Sequence, residues 1–117
     1  MTLKELLDRE LFTVLNRGDD LEKELTKPFC CDLLSIAMGK APAGCVWVTV
    51  MANVNTLAVA TLADVGCVVM AESVRPDDVV LGKAAEQGIT VLSTDLPIFD
   101  AAWKVYCFMT NESKRND

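Results

Sequence analysis

Val46–Asp78 reads VWVTVMANVNTLAVATLADVGCVVMAESVRPDD, and the order of its apolar runs and polar breaks decides the fold. Cys45–Val50 is apolar and β-rich except at Thr49, the pattern of a strand covered on both faces. A break follows in which Asn53 or Asn55 can cap a helix. The predicted helix, Thr56–Val65, is apolar nearly all round and so buried on more than one side, and Gly66 is read as its stop. Cys67–Met70 is the next buried strand, and Ala71–Arg75 a loop. Pro76 then opens a helix whose first turn holds Asp77 and Asp78 against the positive end of its dipole.

Working outward, Gly88 ends that helix and Ile89–Leu92 forms a short strand. Ser93-Thr94-Asp95 is expected to cap a last helix with Pro97 in its first turn, running to about Met109. On the other side, Thr2-Leu3-Lys4-Glu5 fits a capping box for a short helix to about Arg9. Leu11–Leu15 is strand-like and is closed by a turn at 16–20. Leu21–Phe29 fits either an edge strand or an irregular crossover, with Pro28 arguing against a central strand. Asp32 can cap a helix over Leu33–Met38 that Gly39 ends. The expected architecture is a single α/β domain over 1–110: a mostly parallel sheet of about five strands, helices on both faces, right-handed crossovers. The polar residues 111–117 are expected to form a disordered tail.

The chain of 117 residues carries eleven basic and seventeen acidic side chains, a net charge of −6. Without a basic cluster it is a poor partner for nucleic acid or an anionic membrane. No apolar stretch approaches the ~20 residues of a membrane span, and Met1–Arg9 is not a signal peptide, so a cytoplasmic location is expected. The five cysteines are odd in number and lack a CxxC spacing, which favours reduced thiols. Cys31 precedes an expected helix start, where a thiolate would be reactive; the plainer reading of Cys30-Cys31 is two small residues at a strand end. The chain has no histidine, which removes imidazole general bases, Cys/His zinc patterns and the usual triads. Phosphate-loop and GxGxxG motifs are absent as well. Neither a metal nor any other cofactor is expected.

Parallel βαβ units gather the strand C-termini, and the helix N-termini that follow them, on one edge. Three loops meet there, and Asn53, Asn55, Ser73, Arg75, Ser93 and Thr94 are the candidate ligand-binding residues. Free N–H groups at such an edge suit a small polar or nucleotide-like ligand. Taken singly, Asn55, Ser93 and Thr94 are better accounted for by capping, and it is the convergence of three loops that favours a ligand role for the set. Along the last helix Phe99, Trp103 and Tyr106 form one stripe, beside a second of Ile98, Ala102, Val105 and Met109. So wide an apolar arc predicts core packing plus a subunit contact, hence a two-fold homodimer through Phe99, Trp103 and Tyr106.

The run from Cys45 to Ala102, with the upstream Asp32-Leu33-Leu34-Ser35-Ile36-Ala37-Met38-Gly39, resembles the DRTGG domain family, in particular its short stand-alone members. Ser93-Thr94 followed by Phe99 matches the family's STxxxxF ending, and Asn55 agrees as well. The name-giving Asp-Arg and Thr-Gly-Gly motifs are not kept: the corresponding loops read Met51-Ala52-Asn53-Val54-Asn55 and Ala71-Glu72-Ser73. The resemblance implies a fold like the N-terminal domain of HPr kinase/phosphorylase. It also implies kinship with regulatory segments of phosphotransacetylases and CBS-containing pyrophosphatases. The resulting expectation is a non-catalytic regulatory or ligand-sensing module acting as a homodimer. The alternative is a structural subunit that docks onto a larger metabolic or redox enzyme. A catalyst in its own right is disfavoured by the missing histidine and motifs.

Overall fold

The computed structural model describes the backbone of residues 1–116 and the side chains of 1–111. Alternation within three short buried strands builds the core. These are β3 (Val46–Thr49), β4 (Cys67–Met70) and β5 (Val91–Ser93), and every residue in them is buried. Val46, Val48, Cys67, Val69 and Leu92 point to one face of the sheet; Trp47, Val68, Met70 and Val91 point to the other. Successive side chains of a strand face opposite ways, so a continuous apolar run needs a cover on each side. The chain supplies both. Helices α2 (Leu34–Lys40), α3 (Val54–Leu62) and α4 (Asp78–Gln87) pack around Trp47. Helices α1 (Leu3–Asp8) and α5 (Ile98–Asn116) cover the opposite face through Leu3, Leu6, Ala101 and Val105.

The sheet has five strands in the order β1-β5-β4-β3-β2, with β1 at Thr13–Asn16 and β2 at Pro28–Cys30. Strands β2 to β5 are parallel and β1 runs antiparallel to β5. Each crossover steps the same way across the sheet, which brings α2, α3 and α4 to one face. The α/β fold with a mostly parallel sheet and helices on both faces is thus as the sequence predicts. No helix among the described residues is long and apolar enough to cross a membrane.

Local chemistry explains where elements begin and end. The capping box forms: the Glu5 amide donates to Thr2 Oγ1 at 3.2 Å, and the Thr2 amide to Glu5 Oε1 at 3.4 Å. Leu21–Lys27 is the irregular alternative, laced to α1 by Leu3 N to Lys23 O (2.9 Å) and Lys4 N to Leu21 O (2.8 Å). Only then does β2 begin, at the sheet edge, where a proline is tolerated. Asp32 does not cap α2. Its Oδ1 accepts from Thr49 Oγ1 (2.7 Å) and the Val50 amide (3.0 Å), stitching the end of β3 instead. The α2 N-cap is Leu33, without a side-chain bond, and the helix runs through Gly39 to stop at Ala41, held extended before Pro42.

Helix α3 starts two residues earlier than expected because Asn53 is its cap, accepting from the amides of Asn55 (3.0 Å) and Thr56 (3.2 Å). It ends at Leu62, before Gly66. The glycine serves close packing: a Cβ there would sit 2.3 Å from Leu25 Cδ2. Pro76 lies just outside α4, whose cap Asp77 accepts from the Val80 amide at 3.0 Å, while Gly88 closes that helix at φ 70° as expected. Ser93 belongs to β5 rather than to a cap. The first turn of α5 is closed from a distance, the Ile98 amide donating to Glu72 Oε2 at 3.3 Å. The helix continues past Met109 to Asn116. The expected tail falls largely outside the described side chains.

Candidate functional site

Because β3, β4 and β5 are parallel, the loops after them emerge at one edge of the sheet. Antiparallel β1 begins at that same edge, with Thr13 opposite Ser93. Between the lead into β1, the β4–α4 loop and the β5–α5 loop lies a cavity of about 380 Å³. Ser73, Arg75, Ser93 and Thr94 line it, together with Glu10, Thr13 and Asp95. Four of the six candidate residues are therefore brought together. The other two are not. Asn53 is spent capping α3. Asn55 opens onto a separate groove of about 570 Å³ between α2 and α3, beside Leu34, Met38 and Val59.

The walls of the cavity are tied to one another. The Glu72 amide donates to Leu96 O (2.9 Å) and the Ser73 amide to Thr94 O (3.1 Å). Ser73 Oγ donates to Asp95 Oδ1 at 2.8 Å, and the Leu96 amide to Thr94 Oγ1 at 3.2 Å. Glu10, Glu72 and Ser73 hold left-handed backbones at φ 54°, 60° and 63°. A side chain in that region costs on the order of 1 kcal/mol or more, and such residues persist only where neighbours enforce them.

One hydroxyl is out of line with the rest. Among the described residues the buried polar ones are Thr49, Thr56, Thr90 and Ser93. Thr49 donates to Asp32, Thr56 to Met51 O, and Thr90 accepts from the Gly18 amide. Ser93 is only 6 % exposed, yet its hydroxyl has no partner among the described residues and gives onto the cavity. Arg75 and Glu10 make no ion pair among the described residues either. A smaller hollow of about 180 Å³ at the opposite edge offers a contrast. Its Lys23 and Asp64 pair with each other, and the Thr61 hydroxyl bonds to Leu57 O.

Glu10 and Thr13 were not foreseeable from the βαβ pattern, which says nothing of an antiparallel fifth strand; Asp95 lies in a loop that the pattern does bring to this edge, but the sequence reads it there only as a helix cap. Among the described residues no three His, Cys, Asp or Glu side chains gather as metal ligands. The thiols stand elsewhere. Cys31 Sγ donates to Leu33 O at 3.3 Å, and burial, then the Asp32 carboxylate, raises Cys30. That is the reverse of what a reactive thiolate needs.

The residues proposed for a partner face, Phe99, Trp103 and Tyr106, lie on the outer side of α5, exposed by 71 %, 54 % and 52 %. Their rings stack in series, with centroids 6.2 and 5.7 Å apart. The neighbouring stripe of Ala102 and Val105 is core, with Ile98 and Met109 packed against it. Compared with known proteins, the chain matches no family model and no curated protein.

Proposed function

We propose that this chain is a non-catalytic regulatory module that senses a small polar ligand in the cavity beside β5 and acts as a homodimer in the cytoplasm. The observation that carries the reading is Ser93, a residue only 6 % exposed whose hydroxyl has no partner among the described residues and opens onto a polar cavity. That hydroxyl is open to the solvent of the cavity and free to bond a ligand group there. The site lies where open parallel sheets bind ligands, outside the strand C-termini. The likeness of the sequence to DRTGG domains agrees with a regulatory role. The cavity is better suited to binding than to chemistry: among the described residues the Ser93 hydroxyl bonds to no base, and the Ser73 hydroxyl meets only the Asp95 carboxylate.

A second reading, a structural subunit of a larger enzyme, has one observation in its favour. Leu33, the N-cap of α2, and Ile36 and Met38 within it are further exposed apolar side chains. A stoichiometric second protein on purification would favour it.

The test is a thermal-shift screen of nucleotides, sugar phosphates, amino acids and polyols. A ligand at a hundredfold excess over its Kd stabilises by about 2.7 kcal/mol, several degrees in melting temperature. The shift is expected to disappear in Ser93→Ala. No shift with any compound, or one that survives in both Ser93→Ala and Arg75→Ala, would remove this site.

A further inference from the structure

We infer that the cavity beside β5 selects a small zwitterion, of the class of free α-amino acids, with its ammonium between Glu10 and Asp95 and its carboxylate on Arg75. The inference rests on the preceding reading of this cavity as a ligand site and narrows the ligand. Three charged residues line the space, each exposed to solvent: Glu10, Asp95 and Arg75. Among the described residues Glu10 and Arg75 have no ion-pair partner. Asp95 is engaged on Oδ1 alone, by Ser73, leaving its other oxygen to accept.

Each simpler ligand leaves something unmatched. A phosphate or nucleotide would bring about two negative charges to a lining that is already net negative, with one arginine to offset them. A diamine would meet Arg75. A neutral polyol could hydrogen-bond to the three charged side chains but would meet none of them with an opposite charge, and so would gain less from each contact. A molecule with one ammonium and one carboxylate answers all three. Guanidinium takes a carboxylate in a two-bond fork, and an ammonium has three donors to share between two carboxylates. The Ser93 hydroxyl can then donate to the ligand carboxylate or accept from its ammonium. The volume of about 380 Å³ suits a ligand of this size and leaves the neighbouring loops in place.

The experiment is isothermal titration calorimetry with the full chain and each of the common free L-amino acids. Matched compounds lack one charge: amino-acid amides, N-acetyl amino acids and 2-hydroxy acids. Adenosine monophosphate and glycerol complete the panel. At least one free amino acid is expected to bind, with its amide and its N-acetyl form weaker by about tenfold or more, the worth of a charge-assisted pair. In Arg75→Ala the amide should lose nothing further relative to the free acid; in Glu10→Gln the preference over the 2-hydroxy acid should shrink. Binding of adenosine monophosphate that depends on Ser93 would keep the site and overturn the zwitterion. Amino-acid binding indifferent to Arg75→Ala, Glu10→Gln and Ser93→Ala would overturn this assignment as well. Silence across the whole panel would overturn both readings. Melting of the ligand-free variants by circular dichroism separates lost binding from lost folding.

Discussion

Cys45 and Cys67 show what full burial does to a titratable group at the scale of single residues. Both are completely enclosed at the bottom of adjacent strands. Burial pushes Cys45 from 9.0 up to about 11, and it pushes Cys67 higher still, with the neighbouring Cys45 adding to the rise. Ionising either thiol inside the core leaves an unpaired charge. In the unfolded chain both ionise near the ordinary value. Stability is therefore complete below about pH 9 and is lost as pH rises through 11, because the unfolded state releases its protons first. The steepest loss is about 1.4 kcal/mol per pH unit for each thiol. Urea midpoints should fall between pH 9 and 11, and Cys67→Ala should flatten the fall even though its own cavity lowers the starting point. A wild-type profile that is level over that window would show that the thiols are less enclosed than the strands imply. Ser93 is the residue-scale counterpart on the polar side. Its type was readable as a candidate. Its lack of a partner was not, since that depends on what Thr13 and the β4–α4 loop leave open.

At the scale of elements, the parallel core could be read because each strand and crossover announces itself locally. Gly88, Asp77 and the capping box of Thr2 and Glu5 each act within four residues of the helix end they serve. What could not be read acts across the chain. Asp32, a cap by sequence, bonds to Thr49 and Val50 some seventeen residues on. The first turn of α5 is closed by Glu72 from another loop. This distant cap yields a prediction. Removing it orphans the Ile98 amide and a favourable charge at a helix N-terminus, worth about 1 kcal/mol. Glu72→Ala should lower stability by that amount and speed amide exchange in the first turn of α5. Glu72→Gly loses the same bond but relaxes the left-handed backbone at φ 60°, which returns several tenths of a kcal/mol. Alanine should therefore be worse than glycine. The opposite order, measured by urea unfolding, would mean that the left-handed backbone at Glu72 carries no strain; no loss in either variant would mean that the carboxylate does not hold the helix.

The whole molecule joins these two scales through α5. The loop that walls the cavity at Ser73 also caps α5 at Glu72, and α5 carries the stacked rings of Phe99, Trp103 and Tyr106 outward. Three large aromatic side chains in contact with water at successive turns make an unusual surface for a solitary small domain. The charge balance does not oppose pairing there, since Lys104 and Asp100 lie on the same helix with opposite signs. A two-fold contact would lay each stripe on its copy and bury all six rings. Light scattering should then give twice the mass of the chain, and the melting temperature should rise with protein concentration, because association stabilises only the folded form. Replacing the stripe with Phe99→Ser, Trp103→Ser and Tyr106→Ser should give a monomer whose melting no longer depends on concentration. Exposed substitutions of this kind shift the intrinsic stability of a monomer by only about 0.5 kcal/mol each, so a variant that fails to fold would point to pairing as a condition of folding. A wild-type chain that scatters as a monomer at every concentration, with a melting temperature equal to that of the variant, would leave the stripe without a second copy and the homodimer without support.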